Sequence, residues 1–294
     1  MPLVATLIAS PSARALTAPL ANRARDAVGA SEMVWLAEGD ACDLALPDMP
    51  AGEAGALLRG ALDGAPVDIA IQPAAGRRKK LLIADMDSTM IDQECIDELA
   101  DEVGIKAEVA AITAMSMNGE IAFEPALRQR VALLHGLDES VIERLMRHRI
   151  TLASGARELV ATMNRDGAHT ALVSGGFTAF TSRVAAQLGF HEHRANTLLM
   201  AAGRLTGRVA EPILGREAKA VALREMTERL GIGLGDAIAV GDGANDLDML
   251  ALAGAGVALH AKPSVAAEAK IRIDHGDLTA LLYLQGYRRE QFAA

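Results

Sequence analysis

The feature that most constrains this chain is a continuous apolar run, Leu81 to Ala84, followed at once by Asp85-Met86-Asp87. Apolar residues without alternation predict a strand that is buried on both faces, as in a parallel sheet. Ionised carboxylates are costly in an apolar interior unless they are paired or bound to a metal. Open α/β folds bind their ligands at the carboxyl edge of the sheet. We therefore expect the end of this strand to hold a cation.

Two further apolar runs end in polar residues. Residues 168–173 lead into Ser174, and residues 237–240 lead towards Asp242. Because parallel strands share one carboxyl edge, we expect Asp85, Ser174 and Asp242 to meet there. A single aspartate after a strand is usually a turn or helix-cap residue. Three such strand ends favour one site, in which aspartate oxygens are hard ligands suited to Mg²⁺.

The pattern along the chain divides it into parts. Residues 1–76 alternate strand-like and helix-like segments, which predicts a small α+β domain with a mostly antiparallel sheet. Residues 79–91 and 166–294 predict an α/β core with a parallel sheet. Residues 92–165 carry helical periodicity throughout, so we expect a helical cap inserted after the first core strand. The segment 73–80, with turn formers and then basic residues, predicts a solvated linker.

The composition of the chain argues against several classes of function. The 294 residues carry a formal net charge of −9, which argues against a general binder of nucleic acid or anionic membranes. No apolar stretch is long enough to span a bilayer. The two cysteines, Cys42 and Cys95, form no CxxC pair, which fits a reducing compartment. We expect a cytoplasmic protein whose partner is a small molecule, not a nucleic acid or a membrane.

Four motifs, in order along the chain, resemble those of the haloacid dehalogenase (HAD) superfamily of phosphotransferases. They are Asp85-Met86-Asp87-Ser88-Thr89, Val173-Ser174-Gly175-Gly176, Lys219, and Gly241 to Asp246. Within that superfamily they look like the phosphoserine phosphatase family, and the resemblance covers residues 79–294. It implies a Rossmann-like core, an inserted α-helical cap and a Mg²⁺-dependent phosphoric monoester hydrolase. The implied reaction converts O-phospho-L-serine to L-serine and phosphate, the last step of serine biosynthesis.

The resemblance also implies a role for each motif residue. Asp85 would be the nucleophile that forms an aspartyl-phosphate, and Asp87 would donate and then accept a proton. Mg²⁺ would be held by Asp85, the backbone carbonyl of Asp87, and Asp242. The phosphate oxygens would be bound by Ser174, Gly175, Lys219 and Asn245. Asn245 and Asp246 would support the phosphate and metal region.

Residues of the predicted cap are expected to select the substrate. By the resemblance, Glu94 binds the substrate's ammonium group and Arg130 binds its carboxylate, a pairing that suits an amino acid. Met117 and Phe123 would line the site and exclude water. Ordinary alternatives stay open. Glu94 can stabilise a helix N-terminus, Arg130 can be a surface residue, and both apolar residues can be core of the cap.

Other functions also stay open from the sequence. A phosphatase or phosphotransferase for another small phosphate ester would use the same aspartates without the amino-acid clamp. A non-enzymatic phospho-acceptor or amino-acid sensor would keep Asp85 but would not need Asp87 for proton transfer. Residues 1–76 resemble the amino-acid-binding ACT domain, which implies serine binding, a homodimer contact or simple packing.

Overall fold

The computed structural model describes residues 1–293. Its strands are β1 Leu3–Ala9, β2 Met33–Ala37, β3 Ala41–Ala45, β4 Val67–Pro73, β5 Leu81–Ala84, β6 His169–Phe177, β7 Glu192–Asn196, β8 Leu198–Ala201, β9 Arg204–Val209, β10 Ala237–Gly241, β11 Ala255–Leu259 and β12 Ile271–Ile273. Its helices are α1 Ala18–Val28, α2 Ala51–Leu62, α3 Cys95–Asp101, α4 Lys106–Met117, α5 Phe123–Leu133, α6 Ser140–His148, α7 Ala156–Arg165, α8 Thr178–Leu188, α9 Arg216–Leu230, α10 Leu247–Leu252, α11 Pro263–Glu268 and α12 Ala280–Leu284.

The core is a six-stranded sheet in the order β12-β11-β10-β5-β6-β7, and all its neighbouring strands are parallel. The predicted parallel sheet is confirmed. The chain runs outward from β5 to β6 and β7 on one side, then returns to β10, β11 and β12 on the other. The strand order therefore reverses between β5 and β10. Such a switch point is where open α/β sheets form a ligand crevice.

Strand β5 is buried on both faces because its side chains enter two apolar layers. Leu82 and Ala84 belong to the layer that contains α7 and α8. Leu81 and Ile83 belong to the layer that contains α9 and α10. All four side chains are fully buried. Two-sided burial is the physical reason why the sequence of this strand shows no polar alternation.

Helices α3 to α6 form the cap. Ile91 and Leu152 pair where the chain leaves the core and returns to it. The sequence pattern placed α7 in the cap, within 92–165, and this assignment is wrong: α7 packs against β6 and α8. It is the helix that covers the sheet in the crossover from β5 to β6. The β8–β9 hairpin belongs to the core segment of the chain but packs against α5 of the cap.

The N-terminal part folds as β1-α1-β2-β3-α2-β4, with an antiparallel sheet in the order β2-β3-β1-β4. Helices α1 and α2 pack against each other and share a separate apolar cluster with this sheet. Its relation to the ACT domain and its boundary at residue 76 stay predictions.

The segment between this part and the core, residues 73–80, is mostly exposed, as the sequence predicted, but Arg77 is an exception. The side chain of Arg77 is only 12% exposed and forms an ion pair of 2.6 Å with Asp43. It also donates hydrogen bonds to the backbone carbonyls of Tyr283 and Leu284. Among residues 1–293, none of the helices combines the length and the apolarity that crossing a membrane requires.

Candidate active site

The loop after β5 places Asp85 and Asp87 at the switch point of the sheet. The Asp85 N–H donates to the Val240 carbonyl at 3.0 Å, which extends the pairing of β5 with β10 by one residue. The Met86 carbonyl then accepts hydrogen bonds from the N–H groups of Thr89, Met90 and Ile91. Asp85 and Asp87 are 2% and 6% exposed. A tight, hydrogen-bonded turn therefore holds two acidic side chains inside the protein.

Three buried carboxylates converge beside this loop: those of Asp85, Asp242 and Asp246. One oxygen of each lies within 4.8 Å of the others. Burial, and next the charge of Asp85, raises the pKa of Asp242 to about 8. The same two causes raise the pKa of Asp246 to about 6. Such crowding of like charges needs a nearby cation to be stable with all three groups ionised.

Lys219 supplies one such cation. It is fully buried in the first turns of α9, and its Nζ lies 2.6 Å from Asp246 Oδ1 and 2.7 Å from Asp85 Oδ1. Burial alone lowers the pKa of this ammonium, but the carboxylates of Asp246 and Asp85 outweigh burial and raise the pKa. Lys219 is therefore charged at neutral pH. One ammonium does not balance three carboxylates.

The rest of the cluster fits a divalent cation. Asp242 Oδ2 is buried and accepts no hydrogen bond from residues 1–293, and the Lys262 ammonium lies 3.7 Å away. A set of carboxylate oxygens is the ligand type that Mg²⁺ prefers. The sequence predicted Asp85, Asp87 and Asp242 as metal ligands, whereas the third carboxylate of the cluster belongs to Asp246. A ligand role for the backbone carbonyl of Asp87 stays a prediction.

The Asp87 carboxylate has other partners. Its Oδ1 accepts a hydrogen bond from the Cys95 N–H at 2.8 Å, and its Oδ2 accepts one from Ser174 Oγ at 3.3 Å. Burial outweighs these hydrogen bonds and raises the pKa of Asp87 to about 6, with a further contribution from the charge of Asp85. A carboxyl group that titrates near neutral pH can both donate and accept a proton. The two aspartates of the first motif are therefore in chemically different environments.

The glycine pair after Ser174 lets the backbone approach both the aspartates and the cap. A Cβ on Gly176 would lie 2.5 Å from Asp87 Oδ2. A Cβ on Gly175 would lie 2.7 Å from Cζ of the Phe123 ring. Only glycine fits these two places without displacing its neighbours.

A cavity of about 20 Å³ lies between the strand ends and helices α3 to α5. Its lining contains most of the residues that the sequence singled out: Asp85, Asp87, Glu94, Met117, Phe123, Arg130, Ser174, Gly175 and Asn245. Lys219 and Asp242 are not part of the lining and lie beside Asp85. The structure thus brings all the predicted site residues to one place.

Glu94 and Arg130 bring opposite charges to this cavity, and neither forms an ion pair with any residue of the described chain. Glu94 Oε1 accepts a hydrogen bond of 2.7 Å from Ser88 Oγ, and Arg130 Nη1 donates one of 2.9 Å to Thr113 Oγ1. Burial, and next the charge of Asp87, raises the pKa of Glu94 well above its ordinary value. Burial lowers the pKa of Arg130. Two unpaired opposite charges fit a ligand that carries both an ammonium and a carboxylate group.

Two residues that support the site were given no role by the sequence analysis. Ser88, which holds Glu94, has a φ of 54°, a left-handed conformation that is unusual for serine. Asn196, at the end of β7, donates a hydrogen bond to the Gly175 carbonyl. Ser88 lies within the first motif but had no role assigned to it, and no local periodicity or motif marks Asn196. Asp246 was detectable, because it belongs to the same motif as Asp242 and follows it on a tight turn.

Comparisons with known proteins match this geometry. The family model of the haloacid dehalogenase-like hydrolases matches residues 82–251. A phosphoserine phosphatase of Streptomyces coelicolor is 45% identical over 230 residues, which cover 78% of this chain and 56% of that protein. A phosphoserine phosphatase of Polaromonas sp. is 47% identical over 210 residues, which cover 70% of this chain and 89% of that protein. The chain thus matches little more than half of the first relative and most of the second.

Solved structures are similar as well. One described as a phospho-aspartyl intermediate analogue of phosphoserine phosphatase has a TM-score of 0.67 and 40% identity, covering 70% of this chain and 98% of its own. A HAD family hydrolase from Salmonella enterica serovar Typhi has a TM-score of 0.83 and 28% identity, covering 96% and 98%. A probable phosphoserine phosphatase from Vibrio cholerae has a TM-score of 0.76 and 30% identity, covering 97% and 86%. The last two extend over nearly the whole chain.

Proposed function

Because the chain belongs to the haloacid dehalogenase-like hydrolase family, we propose that it hydrolyses O-phospho-L-serine to L-serine and phosphate through phosphorylated Asp85. The phosphoserine phosphatases that are 45% and 47% identical support this substrate. The observation that carries the proposal is the cavity in which unpaired Glu94 and Arg130 face Asp85 and Asp87. It offers an amino-acid clamp next to a nucleophile and a proton donor.

In the first step, a carboxylate oxygen of Asp85 attacks phosphorus. A new P–O bond to Asp85 forms while the bond between phosphorus and the serine oxygen breaks. The protonated carboxyl of Asp87 gives its proton to the departing serine oxygen. Lys219, 2.7 Å from Asp85 Oδ1, offsets the negative charge of the attacking carboxylate and adds positive charge where the phosphate arrives.

In the second step, water replaces Asp85 on phosphorus. Asp87, now a carboxylate, takes a proton from the water as its oxygen attacks. The bond between Asp85 and phosphorus breaks, and phosphate leaves. A pKa of about 6 suits Asp87 to both steps, because neither protonation state is strongly disfavoured at neutral pH.

We propose Mg²⁺ as the cofactor, held by the carboxylates of Asp85, Asp242 and Asp246 with the backbone carbonyl of Asp87. Three converging carboxylates and the unpartnered oxygen of Asp242 support this assignment. When bound, Mg²⁺ offsets the repulsion between a carboxylate nucleophile and an anionic phosphate and stabilises charge on the phosphoryl oxygens.

Phosphate release from O-phospho-L-serine, with Mg²⁺ and after chelation, tests the proposal. O-Phosphoethanolamine is the matched substrate, since it keeps the ammonium group but lacks the carboxylate that Arg130 would bind. We expect kcat/KM to be at least about tenfold lower for O-phosphoethanolamine, the scale of one charged hydrogen bond. A preference for esters without either charged group would instead favour a phosphatase for another small phosphate ester.

We also propose that residues 1–76 bind serine or form a homodimer, and that the protein acts in the cytoplasm. Trp35, half-buried on β2, provides a probe for serine binding by fluorescence titration. Light scattering at several protein concentrations tests the dimer. An unchanged Trp35 signal, with no heat of binding, would remove the serine-binding idea.

A further inference from the structure

We propose that Asn196 is a positioning residue that sets the orientation of the phosphate-binding backbone at Gly175. This inference rests on the proposed function, because it concerns the phosphate site of that reaction. Asn196 is the last residue of β7 and is only 3% exposed. It does not line the cavity that contains Asp85 and Asp87, so it acts through other groups.

The Asn196 amide makes hydrogen bonds to two separate backbone segments. Its Nδ2 donates to the Gly175 carbonyl at 2.8 Å and to the Leu214 carbonyl at 3.1 Å. Its Oδ1 accepts from the Leu214 N–H at 2.7 Å. The opposite orientation of the amide would place an oxygen against two carbonyl oxygens, so these contacts fix which atom is the donor. One buried side chain thus ties the end of β6 to the segment before α9.

The first consequence concerns the peptide unit between Gly175 and Gly176. In a trans peptide the carbonyl and the N–H point in opposite directions. Because Asn196 binds the carbonyl, the Gly176 N–H points the other way and donates to Ser174 Oγ at 2.8 Å. Ser174 Oγ in turn donates to Asp87 Oδ2 at 3.3 Å. Two successive hydrogen bonds therefore connect this peptide to Asp87, the proposed proton donor.

The glycine pair explains why such a restraint is needed. Glycine has wide backbone freedom, so the peptide between Gly175 and Gly176 can rotate at low cost. Rotation would turn the carbonyl oxygen towards the cavity, where its negative end would repel phosphate. The hydrogen bond from Asn196 stabilises the orientation in which the Gly176 N–H donates to Ser174 Oγ.

The second consequence concerns Lys219. The segment that Asn196 holds at Leu214 continues to Gly215, the N-cap of α9. The Gly215 carbonyl accepts a hydrogen bond from the Lys219 N–H at 3.3 Å, which begins the helix that carries the buried ammonium. Asn196 therefore fixes the β6 end relative to the start of α9, and with it both groups that would bind phosphate.

Asn196→Asp is the direct test, because it keeps the size of the side chain and replaces the donor with an oxygen that repels both carbonyls. Inorganic phosphate is the probe, titrated by calorimetry into the whole protein with Mg²⁺ present. We expect the dissociation constant for phosphate to rise at least about tenfold, the effect of one lost charge-assisted hydrogen bond. Affinity for L-serine, which depends on Glu94 and Arg130, should not change.

Asn164→Asp is the matched control. The Asn164 amide also joins two segments, donating to the Gly189 carbonyl at 2.7 Å and accepting from Thr170 Oγ1 at 2.9 Å. It lies outside the cavity, so its replacement should lower the melting temperature without changing phosphate affinity. The comparison separates a specific effect on the phosphate site from a general loss of stability.

Several outcomes would overturn the inference. They are unchanged phosphate affinity in Asn196→Asp, or equal losses of phosphate and serine affinity. If Asn196→Asp does not fold, Asn196→Ser keeps one donor and gives the same measurement. Failure of both variants to fold would mark the residue as structural. A wild-type protein that binds phosphate but leaves O-phospho-L-serine intact would contradict the proposed function alone, and the phosphate titration would still decide this inference.

Discussion

Two regions of this molecule bury charge in different ways: one pairs its charges, and the other leaves them partly unbalanced. At the joint between the N-terminal part and the core, Arg77 forms an ion pair with Asp43 and donates to the carbonyls of Tyr283 and Leu284. At the ends of the core strands, Lys219 pairs with Asp85 and Asp246, while Asp242 has the Lys262 ammonium 3.7 Å away. Both regions bury charge. In the first region the charges are paired or hydrogen-bonded, and in the second the positive charge does not balance the carboxylates.

The joint between the N-terminal part and the core contains a second buried charge whose hydrogen bonds are satisfied. Asp68 of β4 is 5% exposed and has no nearby cation partner among residues 1–293. Its carboxylate instead accepts hydrogen bonds from the backbone N–H groups of Asp274, His275 and Gly276. Such a carboxylate is stable when buried, because the backbone N–H groups solvate its charge.

The difference teaches how to separate structural from functional charge. Paired or hydrogen-bonded buried charges hold parts of a protein in register, and removing one partner is destabilising. Buried charges without partners raise the free energy of the unliganded protein, and they are retained where a ligand completes them. Glu94 and Arg130 belong to the second group, and the charge of Asp242 is only partly offset by the Lys262 ammonium, 3.7 Å away. The predictions below test that division.

The largest expected effect is loss of turnover in Asp85→Asn, which keeps the size of the side chain but removes the nucleophile. Phosphate release from O-phospho-L-serine should fall more than about 1,000-fold. The melting temperature should be retained, because the substitution removes one of three crowded carboxylates. Asp43→Asn at the joint should show the reverse, with lower stability and normal turnover. Normal turnover in Asp85→Asn would contradict the comparison.

At the joint, Arg77→Ala should destabilise the protein by about 3–5 kcal/mol, because it leaves Asp43 buried without its cation. Denaturant unfolding measures this loss, and kcat of the folded protein should not change. Arg78→Ala is the neighbouring control: that guanidinium stacks on the Tyr287 ring, but its side chain is 46% exposed. Its replacement should cost less than about 1 kcal/mol. A larger effect of Arg77→Ala on kcat than on stability would contradict the division between structural and functional charge.

In the cavity, Arg130→Ala should raise KM for O-phospho-L-serine about 10- to 100-fold with a much smaller change in kcat. The physical reason is that Arg130 would bind the carboxylate, away from the reacting phosphorus. Arg128→Ala is the control on the same helix, since Arg128 is 48% exposed and pairs with Glu124 and Glu211. Equal KM values for the two variants would remove the amino-acid clamp.

The smallest expected effect is on the pH dependence of stability without metal. Asp242 binds its proton more tightly in the folded state, since its pKa rises from 3.8 to about 8. Its contribution to stability is therefore lost as pH rises between those values. The melting temperature of metal-free wild type should fall more steeply from about pH 6 to about pH 8 than that of Asp242→Asn. Equal slopes would show that ionisation of Asp242 does not destabilise the folded, metal-free protein.

The strand ends were predictable from the sequence because the information there is local. The run from Leu81 to Asp87 encodes two-sided burial and two carboxylates in adjacent residues. The same holds for Asp242, which directly follows β10. Where a motif directly follows a strand in this way, the sequence predicts both the strand and the functional groups at its end.

Other features could not be predicted, because their partners are distant in the chain. Helical periodicity assigned α7 to the cap, but periodicity does not say which neighbour a helix packs against. A basic run after turn formers is normally solvated, yet Arg77 meets carbonyls near the end of the chain. Asn196 is a polar residue whose importance lies only in the distant backbone groups that it contacts.

The central claim is that the carboxylate of Asp85 carries the phosphoryl group during turnover. Wild-type protein can be mixed with O-phospho-L-serine and Mg²⁺, quenched in acid, and reduced with borohydride, which converts an aspartyl-phosphate to homoserine. Peptide mass spectrometry should then find homoserine at position 85. Homoserine at another aspartate, or its absence while phosphate is released, would contradict the account.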